Sequence, residues 1–249
     1  MRKAALFCAA LLAAGPAAAQ TITAAEYTRP TTRYPHGVLG DDVEWGNLRI
    51  TVSRRLGGDE GLFSGRSSLT YDLTLPDDLV FEDTAPRLWD VTGDEAPEIV
   101  VVQSHAREGA RLLVIGLSEG KPAFLAATPF IGERNRWLAP VGVADLDGDG
   151  HVEIAYIDRP HLARILRIWR YENGSLTEIA AAPGLTNHRI GWDFIAGGIR
   201  RCGAGPEIVT ANADWTRIMA SRLEAGRFAA RDIGPYRGPD SLDAALTCP

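Results

Sequence analysis

Four carboxylates lie in the segment DLDGDGHVEI: Asp145, Asp147 and Asp149 at alternate positions, separated by Leu146 and Gly148, and Glu153 four further on, after Gly150. Acidic side chains at every second position of a tight turn aim their oxygens at one point. A hard cation taking roughly six to eight oxygen ligands is what such a set holds, with a backbone carbonyl, here that of His151, completing the shell. Calcium is therefore the expected ion. In the helix-loop-helix type of calcium loop the twelfth position is glutamate, whereas here it is Tyr156. The flanks APVGVA and VEIAYI are short and rich in β-branched residues, so the loop is expected to join two strands. The bland alternative is that the same aspartates only cap turns through side-chain to backbone bonds.

The frame recurs. In DVTGDEAPEIVVV, Asp90, Thr92, Asp94 and Glu98 stand 55 positions before Asp145, Asp147, Asp149 and Glu153, and metal binding at this upstream copy is expected to be weaker or absent. In GPEIVTA, Glu207 stands 54 positions after Glu153, but Ile199, Arg201 and Gly203 replace the three aspartates, and no metal is expected there. A second marker keeps step: LSEGKP, YENGSL and LEAGRF place Gly120, Gly174 and Gly226 between strand-like runs. These are hairpin turns, Asn173-Gly174 being the strongest because both residues tolerate positive φ. A loop, a strand, a hairpin and a further strand repeated at this period is the signature of blades in a propeller.

The pattern D-x-D-x-D-G-x-x-D/E at Asp145 to Glu153, with its copies over about residues 81 to 233, resembles the FG-GAP/VCBS repeat family, whose members form β-propellers like the head of integrin α subunits. The resemblance implies an all-β fold: a small propeller of about four, or five, blades, each an antiparallel four-stranded sheet. The upstream copy departs from the motif at Thr92 and Glu95, the latter standing where glycine is expected. An irregular first blade is read from TTRYPHGVLGDDVEWGNLRITV, with later strands in SLTYDLTL and DLVFED and a Gly-rich mobile connection over 56–65. ITAAEYT is available as an N-terminal strand completing the last blade, since an open array leaves strand edges unpaired. A half-ring that dimerises fits the length equally well, and the oligomeric state is left open.

Residues 1–19 read as a secretory signal peptide: Arg2 and Lys3, an apolar run too short to span a bilayer, then small residues before Gln20. Residues 20–249 are then one domain with no later segment apolar enough to be a membrane anchor. The destination expected is outside the cytoplasm, a bacterial periplasm above all. Cys8 leaves with the leader, so Cys202 and Cys248 remain where thiols oxidise and are expected to form a disulfide pinning the C-terminus to the degenerate third loop. The chain's net charge of −6, more negative still once Arg2 and Lys3 are removed, argues against nucleic acid as a partner.

Polar and aromatic residues gather on the approaches to successive loops, at Arg33, Tyr34 and His36, at Asn135, Arg136 and Trp137, and at His188, Arg189, Trp192 and Asp193. Equivalent positions in a propeller face one way, so Arg136, Trp137, His188, Arg189, Trp192 and Asp193 are candidates for a binding face. Packing between blades is the competing role for the tryptophans and arginines. No zinc spacing, nucleophile elbow or phosphate loop is present. The function expected is a calcium-stabilised binding or structural module for an envelope protein or a carbohydrate. The rival is a small hydrolase or lyase acting on a polyanionic or glycan substrate, with His188, Asp193 and Arg136 as its working groups.

Overall fold

A computed structural model describes residues 20–56, 65–203, 205–224 and 226–248. The expected leader and most of the Gly-rich connection, 57–64, lie outside the described residues. Among the described residues seventeen strands and one short helix follow one another, and every strand pairing is antiparallel.

Long strands β1 (Gln20–Thr31), β2 (Glu44–Leu56) and β3 (Gly65–Thr74) form a first module, with β2 in the middle. The second comprises β4 (Leu79–Phe81), β5 (Arg87–Trp89), β6 (Glu98–His105), β7 (Gly109–Ser118) and β8 (Lys121–Ala127). Both β4 and β5 pair with β6, so they act as one broken strand. The third module is an uninterrupted four-stranded sheet of β9 (Leu138–Ala144), β10 (Glu153–Asp158), β11 (Ile165–Glu172) and β12 (Ser175–Pro183). The fourth repeats the broken first strand, with β13 (Leu185–Thr186) and β14 (Gly198–Arg201) both on β15 (Pro206–Asn212), followed by β16 (Arg217–Glu224) and β17 (Arg227–Pro235). The hairpins fall where the glycines predict, joining β7 to β8, β11 to β12 and β16 to β17.

Buried runs explain the stacking. β6 (EIVVVQSH) and β10 (EIAYID) are buried along their whole length, because each is central in its sheet and covered on both faces. Ile50, Ile99 and Val101 join a core between the first and second modules. Val100, Leu112, Trp137 and Ile154 join one between the second and third, and Ala155, Ile157, Leu166 and Ile208 one between the third and fourth. Each such fully buried aliphatic side chain contributes roughly 1.5–3 kcal/mol relative to exposure.

Two expectations are corrected. The N-terminal strand does not complete the last module: β1 pairs with β2 from Gln20↔Arg54 to Thr31↔Glu44, a long local hairpin partner winning over a distant edge. The sheets are not uniformly four-stranded, because Trp45↔Phe81 links β2 to β4 and merges the first two modules into one eight-stranded sheet. Among the described residues no strand of the fourth module pairs with the first. A coil segment makes that contact instead, the Gly191 amide donating to the Val38 carbonyl at 3.0 Å. Beyond the fourth module lies a helix absent from the sequence reading, α1 (Pro239–Ala245), whose Leu242 is fully buried against Val209, Ala211 and Ile218.

Candidate metal loops and binding cleft

The loop between β9 and β10 brings oxygens of Asp145, Asp147 and Asp149 within 4.8 Å of one another. Local backbone chemistry shapes it. Asp145 accepts from the Gly148 amide at 2.7 Å and the Gly150 amide at 3.0 Å, and both glycines sit at positive φ. Asp149 accepts from the His151 amide at 3.0 Å, and that bond, with Arg170 and His151, holds its carboxyl below the usual range. Glu153 opens β10, fully buried, and accepts from the Leu146 amide at 2.7 Å. Strands, not helices, flank the turn on both sides, as the flanking residues predict. The donor set of hard oxygens on a short turn fits calcium. It also holds a residue that sequence reading missed: the Arg170 guanidinium, with Nε 2.7 Å from Glu153, one terminal nitrogen 2.7 Å from Asp147 and the other 2.7 Å from Asp149.

The upstream loop copies the backbone without the full ligand set. Asp90 accepts from the amides of Gly93 at 2.7 Å, Asp94 at 3.2 Å and Glu95 at 3.0 Å, while Asp94 accepts from Ala96. Glu95 takes a φ of 67°, in the place where Gly150 takes 91°. Glu98 accepts from the Val91 and Thr92 amides, and the Thr92 hydroxyl donates to its second oxygen. Burial pushes the Glu98 carboxyl up against those amides. Among the described residues the only group of three metal-type ligands is the one at Asp145, Asp147 and Asp149.

The third loop has closed by other means. Glu207, fully buried, receives Arg200 Nε at 2.9 Å, Arg222 Nε at 2.8 Å and Arg231 at 2.9 Å. Burial alone would raise its carboxyl, but Arg231, Arg200 and Arg222 outweigh it and pull it down to about 2. Cys202 and Cys248 are bonded, as their pairing predicts, with Cα atoms 5.4 Å apart, and Arg200 also donates to the Ala245 carbonyl of α1.

The predicted binding-face residues separate. Trp137 is 2% exposed and donates its indole N–H to the Glu82 carbonyl, and His188 is buried. His188 uses both ring nitrogens: Nε2 lies 2.9 Å from the Trp192 carbonyl and must donate, so Nδ1 accepts from His161 Nε2, also at 2.9 Å. Burial lowers His188, and burial together with His188 takes His161 down to about 4, so both rings are neutral near pH 7. Asp193 is exposed, Arg189 lies over the Trp215 ring at 4.7 Å, and Trp192 stacks on Phe194. Arg136 reaches a cleft of about 270 Å³ that sequence reading did not assemble, lined by His36, Asn135, Arg159, His161, Leu162 and Ile190 over a Trp137 floor. Leu162 and Ile190 are 62% and 71% exposed.

An all-β array of antiparallel modules, entered through strand-to-strand loops each anchored on a buried glutamate, is the class these observations define. Residues 90–156 match the FG-GAP-like repeat, a span running from the upstream loop through the complete one, so that segment carries an FG-GAP-type repeat. No curated protein matches the chain. Among solved structures, the crystal structure of Porphyromonas gingivalis dipeptidyl peptidase 4 aligns at a TM-score of 0.37 and 11% identity, over 76% of this chain and 29% of that one. The chain thus spans less than a third of that protein. Among the described residues no helix is long and apolar enough to cross a membrane.

Proposed function

We propose that this chain is a secreted, calcium-binding module of the propeller type that presents a rigid cleft to an envelope protein or a carbohydrate. The observation that carries the reading is the convergence of three approach segments on one cleft: His36 from the first module, Asn135 and Arg136 from the third, and Ile190 from the fourth. Exposed aliphatic side chains beside arginines and a neutral imidazole, over an aromatic floor, form a surface that desolvates readily and offers donors at its edge. The walls are fixed in advance. Tyr34 accepts from the Asn135 amide at 2.8 Å, the Arg159 amide donates to the Trp137 carbonyl, and Trp137 stacks on His161, so little ordering cost remains on binding. Calcium at Asp145, Asp147, Asp149 and Glu153 would brace the third module from its other loop end. A site of this kind outside the cell binds at roughly 10⁻⁴ to 10⁻³ M. The disulfide supports a destination where thiols oxidise. His188 has no free nitrogen for Asp193, which favours binding over acid-base chemistry.

The test is capture of partners from periplasmic extract and from a glycan array by the wild-type chain and by the double variant L162D/I190D. Both positions are exposed, so folding should survive the change. Partners retained by the wild type and lost by the variant support the reading; equal capture by both sinks the cleft as the binding face.

A further inference from the structure

We infer that Arg170 is a tethered cation that competes with the divalent ion for Asp147, Asp149 and Glu153, so that the complete loop keeps its shape without metal and binds metal weakly. This deepens the calcium reading and rests on it. The argument begins with register. Glu153 stands opposite Ala144 on β9 and Arg170 on β11, so the guanidinium is delivered to the glutamate by strand pairing and not by a flexible surface contact. Its side chain is mostly buried, and its three nitrogens divide among three carboxylates. The planar fork of arginine suits that division, and hydrogen bonds to charged groups are the strong ones.

The other two modules are natural variants of the same position. At the upstream loop Glu98 is flanked by Trp89 and packs against Gly116. A Cβ at Gly116 would come within 2.4 Å of the end of the Leu125 side chain and 3.3 Å of Glu98 Cγ, so any larger residue there would have to displace Leu125. At the third loop Glu207 lies opposite Arg200, and Arg222 reaches it from β16 as Arg170 reaches Glu153 from β11. The arginines on the strands paired directly with the anchoring glutamate therefore number none, one and two along the chain, Arg231 adding a third to Glu207 from β17, and there the aspartates are gone. The middle loop combines both solutions. Four carboxylates facing one guanidinium leave attraction for a divalent ion, but the ion must take Asp147 and Asp149 away from Arg170.

Calorimetric titration with calcium chloride on the folded, metal-stripped chain tests this, alongside R170M and R170K. R170M is expected to bind calcium at least about tenfold tighter than the wild type, the worth of one or more charged hydrogen bonds no longer displaced. R170K, which keeps a charge but loses the fork, should fall between them. With calcium added back at a concentration well below the wild-type Kd, chelator should leave the wild-type melting temperature unchanged and lower that of R170M. Equal calcium affinities in the three proteins would overturn the inference while leaving the calcium reading intact. Absence of binding in all three would overturn both. If R170M folds only with calcium, that dependence itself supports competition; if it folds under neither condition, R170K against wild type decides, tighter binding supporting and equal binding overturning.

Discussion

The loops ending in Glu153 and Glu207 occupy the same place in consecutive modules, yet they solve one electrostatic problem in opposite ways. Each begins from a buried glutamate at the start of a central strand, where an uncompensated carboxylate is costly. The first surrounds it with further carboxylates suited to a cation and one arginine; the second discards the aspartates and brings three arginines, a disulfide and a helix C-terminus. A repeat can thus keep its backbone after losing its metal chemistry, provided the anchoring charge finds another counterion. The upstream loop has backbone donors but no cation at its glutamate; burial raises the carboxyls of Glu98 and, beside its single arginine, of Glu153, whereas the three arginines lower that of Glu207.

The largest effect that would break this comparison comes from the anchor of the third loop. E207Q leaves Arg200 buried without its charge partner and should cost about 3 kcal/mol or more in urea unfolding. The folded carboxyl titrates at about 2 against 4.5 for the ordinary group, so its contribution is present above about pH 4.5 and fades as the pH falls toward 2. The gap between wild type and E207Q should close over that window; a gap that persists at pH 2 would mean the charge is irrelevant. A smaller loss should follow C202S/C248S, about 2–4 kcal/mol for a bond whose cysteines are 46 residues apart in sequence. Melting with and without reductant checks it, and an unchanged wild-type transition under reductant would show that the arginines suffice alone. The smallest effect belongs to the upstream loop, where E95G relieves a left-handed backbone that glycine tolerates freely. The gain should be at most about 1 kcal/mol, because glycine also enlarges the unfolded ensemble. A net loss on melting would show that the Glu95 side chain contributes something the loop needs.

Much of this was legible because the signals are local. Asn173-Gly174 and Glu119-Gly120 adopt paired positive φ at their hairpins, and Asp145 and Asp90 both cap the amides that their spacing places within reach. Trp137 and His188, by contrast, carry the residue types of a binding face but lie inside: Trp137 forms the cleft floor, and His188 packs against it with both ring nitrogens bonded. Arg170 and Arg222 were invisible for a different reason. Their meeting with Glu153 and Glu207 depends on strand register, and a slip of one residue would turn each guanidinium to the opposite face of the sheet. Counting from each hairpin back to its glutamate is the signal that would have found them.

The amino-acid sequence by itself determined the repeat, the strand-loop-strand setting of the aspartates, the hairpin turns and the cysteine pairing, since each follows from residue types within a few positions or from simple exclusion. Only the tertiary structure decided that β1 stays with β2, that a coil segment and not a strand reaches the fourth module, and which side chains line the cleft. It alone also placed the arginines on the buried glutamates. Those outcomes depend on contacts between residues distant in the chain, where packing and register select among partners that local preference leaves equal.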